Sequence, residues 1–203
     1  MGTRHLTIVI QKEKPVVAQY GQWDGYPEGQ GVTVLNFLRT VDMNRFKKRL
    51  KDVRFMNKRD ESSLKKFMKK IGAENGLLDM DQAKLYYNQY PYLSRNHGAE
   101  ILQMIYDSVG KVVLQNSISF AADSLFCEWA YLIDLDKNVL EVYEGFNQTP
   151  LEDGQRFKDL VNVEYSTGTY YPIRHVKTYP LDELPTDEDF VKELEPKEEE
   201  EEK

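Results

Sequence analysis

Leu6, Ile8 and Ile10 recur at every second position near the start of the chain, with Thr7 and Val9 between them. A period of two predicts a strand over residues 5–10. Residues 11–14 are polar and read as a turn, and residues 15–20 as a returning strand, so the chain opens on a hairpin. The pattern then changes to helical spacing. Val34, Leu35, Leu38 and Val41 share one helix face, and Phe46, Leu50, Val53 and Phe55 continue such a face through a charged stretch. Ser62 or Ser63 starts a further helix through Leu64, Phe67, Met68 and Ile71, closed by Gly72 and Gly76. Residues 79–89 make another, carrying Leu85 and Tyr86 and broken by Tyr90-Pro91-Tyr92. Ser94 or Asn96 caps a helix with Ile101, Leu102, Ile105 and Tyr106 on one side.

The second half returns to strands. Residues 128–135 and 139–143 flank Asp136-Lys137-Asn138, a turn sequence, and the returning strand runs out at Gly145. Residues 170–178 form a strand that Pro172 confines to an edge. Thr186 with Asp189 caps a short helix over residues 187–194. The architecture expected is α+β: a mainly antiparallel sheet of four to six strands, with a helical block over residues 31–109 inserted between the N- and C-terminal hairpins. One domain spans residues 1–195, followed by a disordered acidic tail over 196–203.

With 203 residues, 40% hydrophobic and 30% charged, the chain has the composition of a globular protein. No apolar run approaches the roughly 20 residues that cross a bilayer. No signal peptide is visible, and Leu6 stands where myristoylation wants Ser or Thr. Cys127 is the only cysteine and lies in an apolar stretch, which implies a buried thiol and a reducing, cytoplasmic setting. The net charge of −7 is unevenly spread. Residues 198–202 are all Glu, whereas residues 45–70 are strongly basic. That asymmetry suits an anionic partner, or pairing between the two segments.

The densest chemistry lies in residues 22–31, Gln-Trp-Asp-Gly-Tyr-Pro-Glu-Gly-Gln-Gly. Trp23, Tyr26 and the preceding Tyr20 offer flat apolar faces with polar tips, and Asp24 offers a carboxylate. Gly29 and Gly31 enter a helix, where unpaired first-turn amides hold anions. The spacing is neither a dinucleotide fingerprint nor a P-loop, so no cofactor is expected. The plainer alternative is a turn that needs glycine and proline, with Trp23 plugging the core. Thr3 is a candidate nucleophile of the N-terminal type, with Gly2 standing in front of it. Arg95 and His97 precede a helix, where Arg95 can meet an anion and His97 can act as acid or base. His5, His97 and His175 have no metal-ligand spacing, and no metal is expected. The basic stretch 45–70 can meet phosphates, but base-reading motifs are absent and its phenylalanines suit a buried helix face.

Thr3 and Arg4, with Trp23-Asp24-Gly25-Tyr26-Pro27 and the following Gly29 and Gly31, resemble a family of uncharacterised small proteins associated with bacteriophages. The likeness is good over about the first forty residues and loose beyond, where residues 128–146 look like a later hairpin of such proteins. It implies a phage or mobile-element accessory protein and brings no activity with it. The leading expectation is therefore a binding protein. Its loop over residues 23–31, with Arg4, Tyr20 and Arg95, would take a small anionic ligand such as a nucleotide, or a host protein. The alternatives are an amidohydrolase using Thr3 and a nucleic-acid-binding accessory protein using residues 45–70; the net acidity weighs against the latter.

Overall fold

The structure is a computed structural model that describes residues 2–195. The acidic tail expected over residues 196–203 lies outside them. The main sheet contains β1 (His5–Gln11), β2 (Lys14–Gly21), β5 (Trp129–Asp134), β6 (Val139–Glu144) and β9 (Arg174–Pro180), in spatial order β2-β1-β5-β6-β9. Three neighbouring pairs are antiparallel, but β1 and β5 run parallel, with His5 opposite Trp129 and Ile10 opposite Asp134. The sheet is therefore mixed. A parallel neighbour needs a long crossover, and everything from residue 22 to residue 128 supplies it.

The first hairpin turns on Lys12 and Glu13, both left-handed at φ 55° and 61°. Neither residue suits that region, which glycine or asparagine usually occupies. The carboxylate of Asp136 compensates, accepting from the amides of Lys12 at 2.9 Å and Glu13 at 2.7 Å. The turn that follows β5 thus holds the turn that follows β1.

Both sheet faces are covered, which is why β1 and β5 are buried almost throughout. On one face Val9, Val17, Tyr131, Ile133 and Val142 meet four helices: α1 (Val32–Thr40), α2 (Met43–Arg49), α5 (Ile101–Asp107) and α6 (Asp187–Leu194). Their contributions include Leu35, Phe37, Phe46, Leu102 and Phe190. On the other face Leu6, Ile8, Leu132 and Tyr143 lie under Ala121, Phe157 and Ile173, from mostly irregular chain.

Several sequence expectations change here. Val53 and Phe55 belong to β3 (Val53–Phe55), not to a helix, and pair in parallel with β4 (Val112–Leu114). Alternation over three residues is too short to tell from helical spacing. Helix α3 (Lys58–Lys70) starts well before Ser62, because Asn57 and Asp60 form a reciprocal capping box. Ser94 and Asn96 do not cap α5, which is entered through a 3-10 turn at Gly98–Glu100. Pro172 falls outside β9, and a small hairpin of β7 (Val163–Tyr165) and β8 (Gly168–Tyr170) precedes it. The cap of α6 is formed as expected: Thr186 Oγ1 accepts from the Asp189 amide at 3.1 Å. Helices α3 and α4 (Met80–Gln89) differ from the other four in burying no side chain completely.

Candidate functional site

Where β2 ends, the chain is drawn toward residues 95–96. The Gln22 amide donates to the Arg95 carbonyl at 3.0 Å, and the Trp23 indole N–H donates to Asn96 Oδ1 at 3.2 Å. The Trp23 ring lies against Gly2 and is half exposed at 50%. Tyr20 donates its hydroxyl to Gln22 Oε1 at 2.7 Å. Arg4 places its guanidinium 4.8 Å from the centroid of Phe126. Burial raises the Tyr20 phenol above its ordinary pKa, while the positive charges of Arg4 and Arg95 pull against that rise. Both arginines are therefore close enough for their charge to act on the phenol. Arg4, Tyr20, Trp23 and Arg95 share one rim, although residues 4 and 95 are far apart in sequence. Among the described residues neither arginine forms an ion pair.

The remainder of the loop closes on itself. Asp24 is left-handed at φ 54°, and its carbonyl accepts from the Gln30 amide at 2.9 Å. Gly25 donates its amide to the Thr3 carbonyl at 2.9 Å, and its carbonyl accepts from the buried Tyr131 hydroxyl at 2.9 Å. The amides of Gly29 and Gly31 donate to the Tyr26 carbonyl at 3.1 and 3.4 Å. The anion-holding amides expected at Gly29 and Gly31 are therefore already used within the loop. A β-carbon at Gly31 would come within 2.9 Å of Tyr131 and Phe190, so that glycine serves packing. Tyr26 donates its hydroxyl to Asp24 Oδ1 at 3.2 Å, and the carboxylate raises the Tyr26 pKa. Thr3 supplies a backbone carbonyl to the loop. His97 is held through Nε2 by the Pro91 carbonyl at 2.7 Å.

Behind the loop stands a residue that sequence reasoning considered only as a metal ligand. His5 is fully buried, and neither ring nitrogen has a protein hydrogen-bond partner. A β-carbon on Gly21 would lie 2.0 Å from His5 Cε1, and one on Gly98 would lie 2.9 Å from Nε2. The ring occupies space that any other residue at those positions would fill. Burial alone lowers its pKa from 6.5 to about 3, so the imidazole is neutral. Thr7, two residues along on the same face of β1, also buries an unpartnered hydroxyl.

A second polar cluster, on the opposite face of the sheet, was missed from sequence. Arg156 donates through Nε to Glu141 at 2.8 Å and through one terminal nitrogen, Nη2, to both Glu141 at 2.8 Å and Asp134 at 2.7 Å. Tyr143 donates to Glu141 at 2.6 Å, and Asp134 accepts the amides of Asp136 and Lys137 at 3.1 and 3.0 Å. Burial works to raise both carboxyl pKa values, but hydrogen bonds and the guanidinium charge outweigh it and hold both below their ordinary values. Carboxylates inside two apolar strands were the available signal.

In the basic stretch, Arg49 pairs with Asp52 at 2.7 Å, Arg54 bonds Asp60 at 2.9 Å, and Arg45 lies 4.3 Å above the Tyr106 ring. These arginines serve the fold, and the other exposed cations of the stretch are Lys48, Lys51, Arg59 and the lysines of α3. Among the described residues no group of three or more His, Cys, Asp or Glu could hold a metal, and no helix is long and apolar enough to cross a membrane. Cys127 is buried, which pushes its thiol pKa well up. No protein-family model, curated protein or solved structure matches the chain.

Proposed function

We propose that this is a binding protein for a small anionic ligand, an accessory protein of the phage-associated kind that its Trp-Asp-Gly-Tyr-Pro loop resembles. The observation that carries the reading is the pair of arginines, Arg4 and Arg95, gathered beside Tyr20 and Trp23 with neither guanidinium in an ion pair among the described residues; Glu128 Oε1 accepts instead from the Arg4 backbone amide at 3.2 Å. Unpaired guanidinium groups take carboxylates and phosphates well, because planar donors match planar or tetrahedral oxygens. Half-exposed Trp23 beside them offers a stacking face for a flat ligand body. The ligand is thus held by the rim at the entrance of the loop, with residues 24–31 as its folded support.

An amidohydrolase acting through Thr3 has less behind it. Thr3 is tied to Gly25 through its carbonyl, and Gly2 in front of it is packed against Trp23. The nucleic-acid reading is weakened by the arginines of residues 45–70 that the fold already uses.

The test is a titration with ATP followed by amide and indole N–H resonances. Binding at the rim moves the Trp23 indole signal, which is assigned by Trp23→Phe, and Arg4→Gln weakens the response at least fivefold. An unmoved Trp23 indole at millimolar ATP, phosphate and citrate sinks the proposal.

A further inference from the structure

Arg95 also lines a second feature. Helices α3 and α4 and the segments beside them line a half-open cleft of about 530 Å³ whose walls include Leu64, Leu78, Ala83, Tyr86 and Leu93, with Arg95 among its lining residues. The volume is within the range of small-molecule sites, roughly 300–1,000 Å³; the lining is mixed, with Tyr86, Tyr87, Arg95 and Gln115 contributing polar atoms beside the aliphatic side chains. Packing of the two helices leaves this space unfilled, since neither buries a side chain completely.

We infer that the ligand is an amphiphilic anion, its charged head on the Arg4–Arg95 rim and its apolar body in the α3–α4 cleft. This rests on the rim reading above and adds the chemical class. Charge and shape point the same way. Arg95 lines the cleft, and its carbonyl accepts from Gln22 beside Trp23, so a single-headed carboxylate held by Arg95 can lay its chain toward Leu64 and Leu78. A bare polyanion leaves those walls uncovered. Each buried methylene contributes about 0.8 kcal/mol, so affinity should climb with chain length until the cleft is filled.

The experiment is calorimetric titration of the full chain with acetate, octanoate and decanoate, and with 1-decanol as the uncharged probe. Decanoate is expected to bind at least about 100-fold more tightly than acetate and at least fivefold more tightly than decanol. Ala83→Trp and Leu64→Glu, which obstruct or charge the cleft, should weaken decanoate at least about 30-fold, while the ATP-induced shift of the Trp23 indole stays as in the unaltered protein. Equal affinities for acetate and decanoate, or decanoate binding untouched by both variants, overturns the inference and leaves the rim reading standing on its ATP response. Decanoate binding that is blocked by Ala83→Trp but indifferent to Arg4→Gln and Arg95→Gln removes the rim as headgroup site, and the amphiphilic-anion assignment with it. Decanol binding as tightly as decanoate has the same consequence.

Discussion

Two buried polar groups, one on each face of the main sheet, are treated in opposite ways. On the face covered by irregular chain, Arg156 meets Glu141 and Asp134, and Tyr143 completes the set, so each member of that cluster has partners. On the helix-covered face, His5 and Thr7 are buried without protein partners, immediately behind the loop that carries Trp23. A satisfied buried cluster fixes geometry; it ties residue 156 to two strands and seats the segment over the sheet. An unsatisfied one costs stability and persists only where packing enforces it. The difference separates a structural clamp from a region where the fold tolerates strain, and the candidate rim lies beside the second.

The comparison can be broken most forcefully at the clamp. Arg156→Met leaves two buried carboxylates unpaired and should cost about 3 kcal/mol, read as a lowered urea midpoint. If Asp134→Asn with Glu141→Gln restores most of that loss, the cost belongs to the stranded charges.

Acid sharpens the contrast next. The His5 pKa falls from 6.5 to about 3 on folding, so below 6.5 the unfolded chain takes a proton that the folded chain refuses. Stability is greatest above 6.5 and declines as pH falls toward 3, at about 1.4 kcal/mol per unit. The clamp carboxylates are held below their ordinary values and add their own loss only in stronger acid. Between pH 6.5 and about 4.5 the loss should therefore be about 2–3 kcal/mol, and His5→Leu should flatten it. Chemical denaturation across that range checks the slope.

Gly21→Ala forces a methyl into the His5 ring and should cost about 2 kcal/mol in the same assay, with His5→Ala in the same chain relieving most of it. The smallest effect is at Tyr26→Phe, which removes one exposed hydrogen bond to Asp24 and should change stability by less than about 0.5 kcal/mol.

How much of this was legible depends on how local each feature is. The first hairpin shows in its alternation, and the second in Asp136-Lys137-Asn138 between two apolar runs. The parallel pairing of β1 with β5 has no local trace, because it joins residues more than a hundred positions apart. Strands β3 and β4 are too short for a period to register. Arg4, Tyr20, Trp23 and Arg95 could each be picked out by residue type and turn context. Their meeting at one rim, and the loop's use of its own glycine amides, depend on long-range hydrogen bonds that no spacing reveals. The Arg156 clamp was hidden for a related reason. Its carboxylates lie 22 and 15 residues away and look like ordinary strand polarity.

The parallel pairing of β1 and β5 bears on how the protein is made. The first hairpin is complete once Gly21 has emerged, but the inner edge of β1 finds its partner only when Trp129 follows. At about 5–20 residues per second, a ribosome needs roughly 5–20 s to supply that stretch. For that time a row of free amides and carbonyls flanked by Leu6, Ile8 and Ile10 waits on a nascent chain, as apt to pair with a neighbour as with itself. Helices α1, α2 and α5 are synthesised within the interval and can shelter one face, yet the edge remains open until the crossover closes. Slowing translation between residues 22 and 128 should therefore lower the soluble yield, although the finished protein would be unchanged.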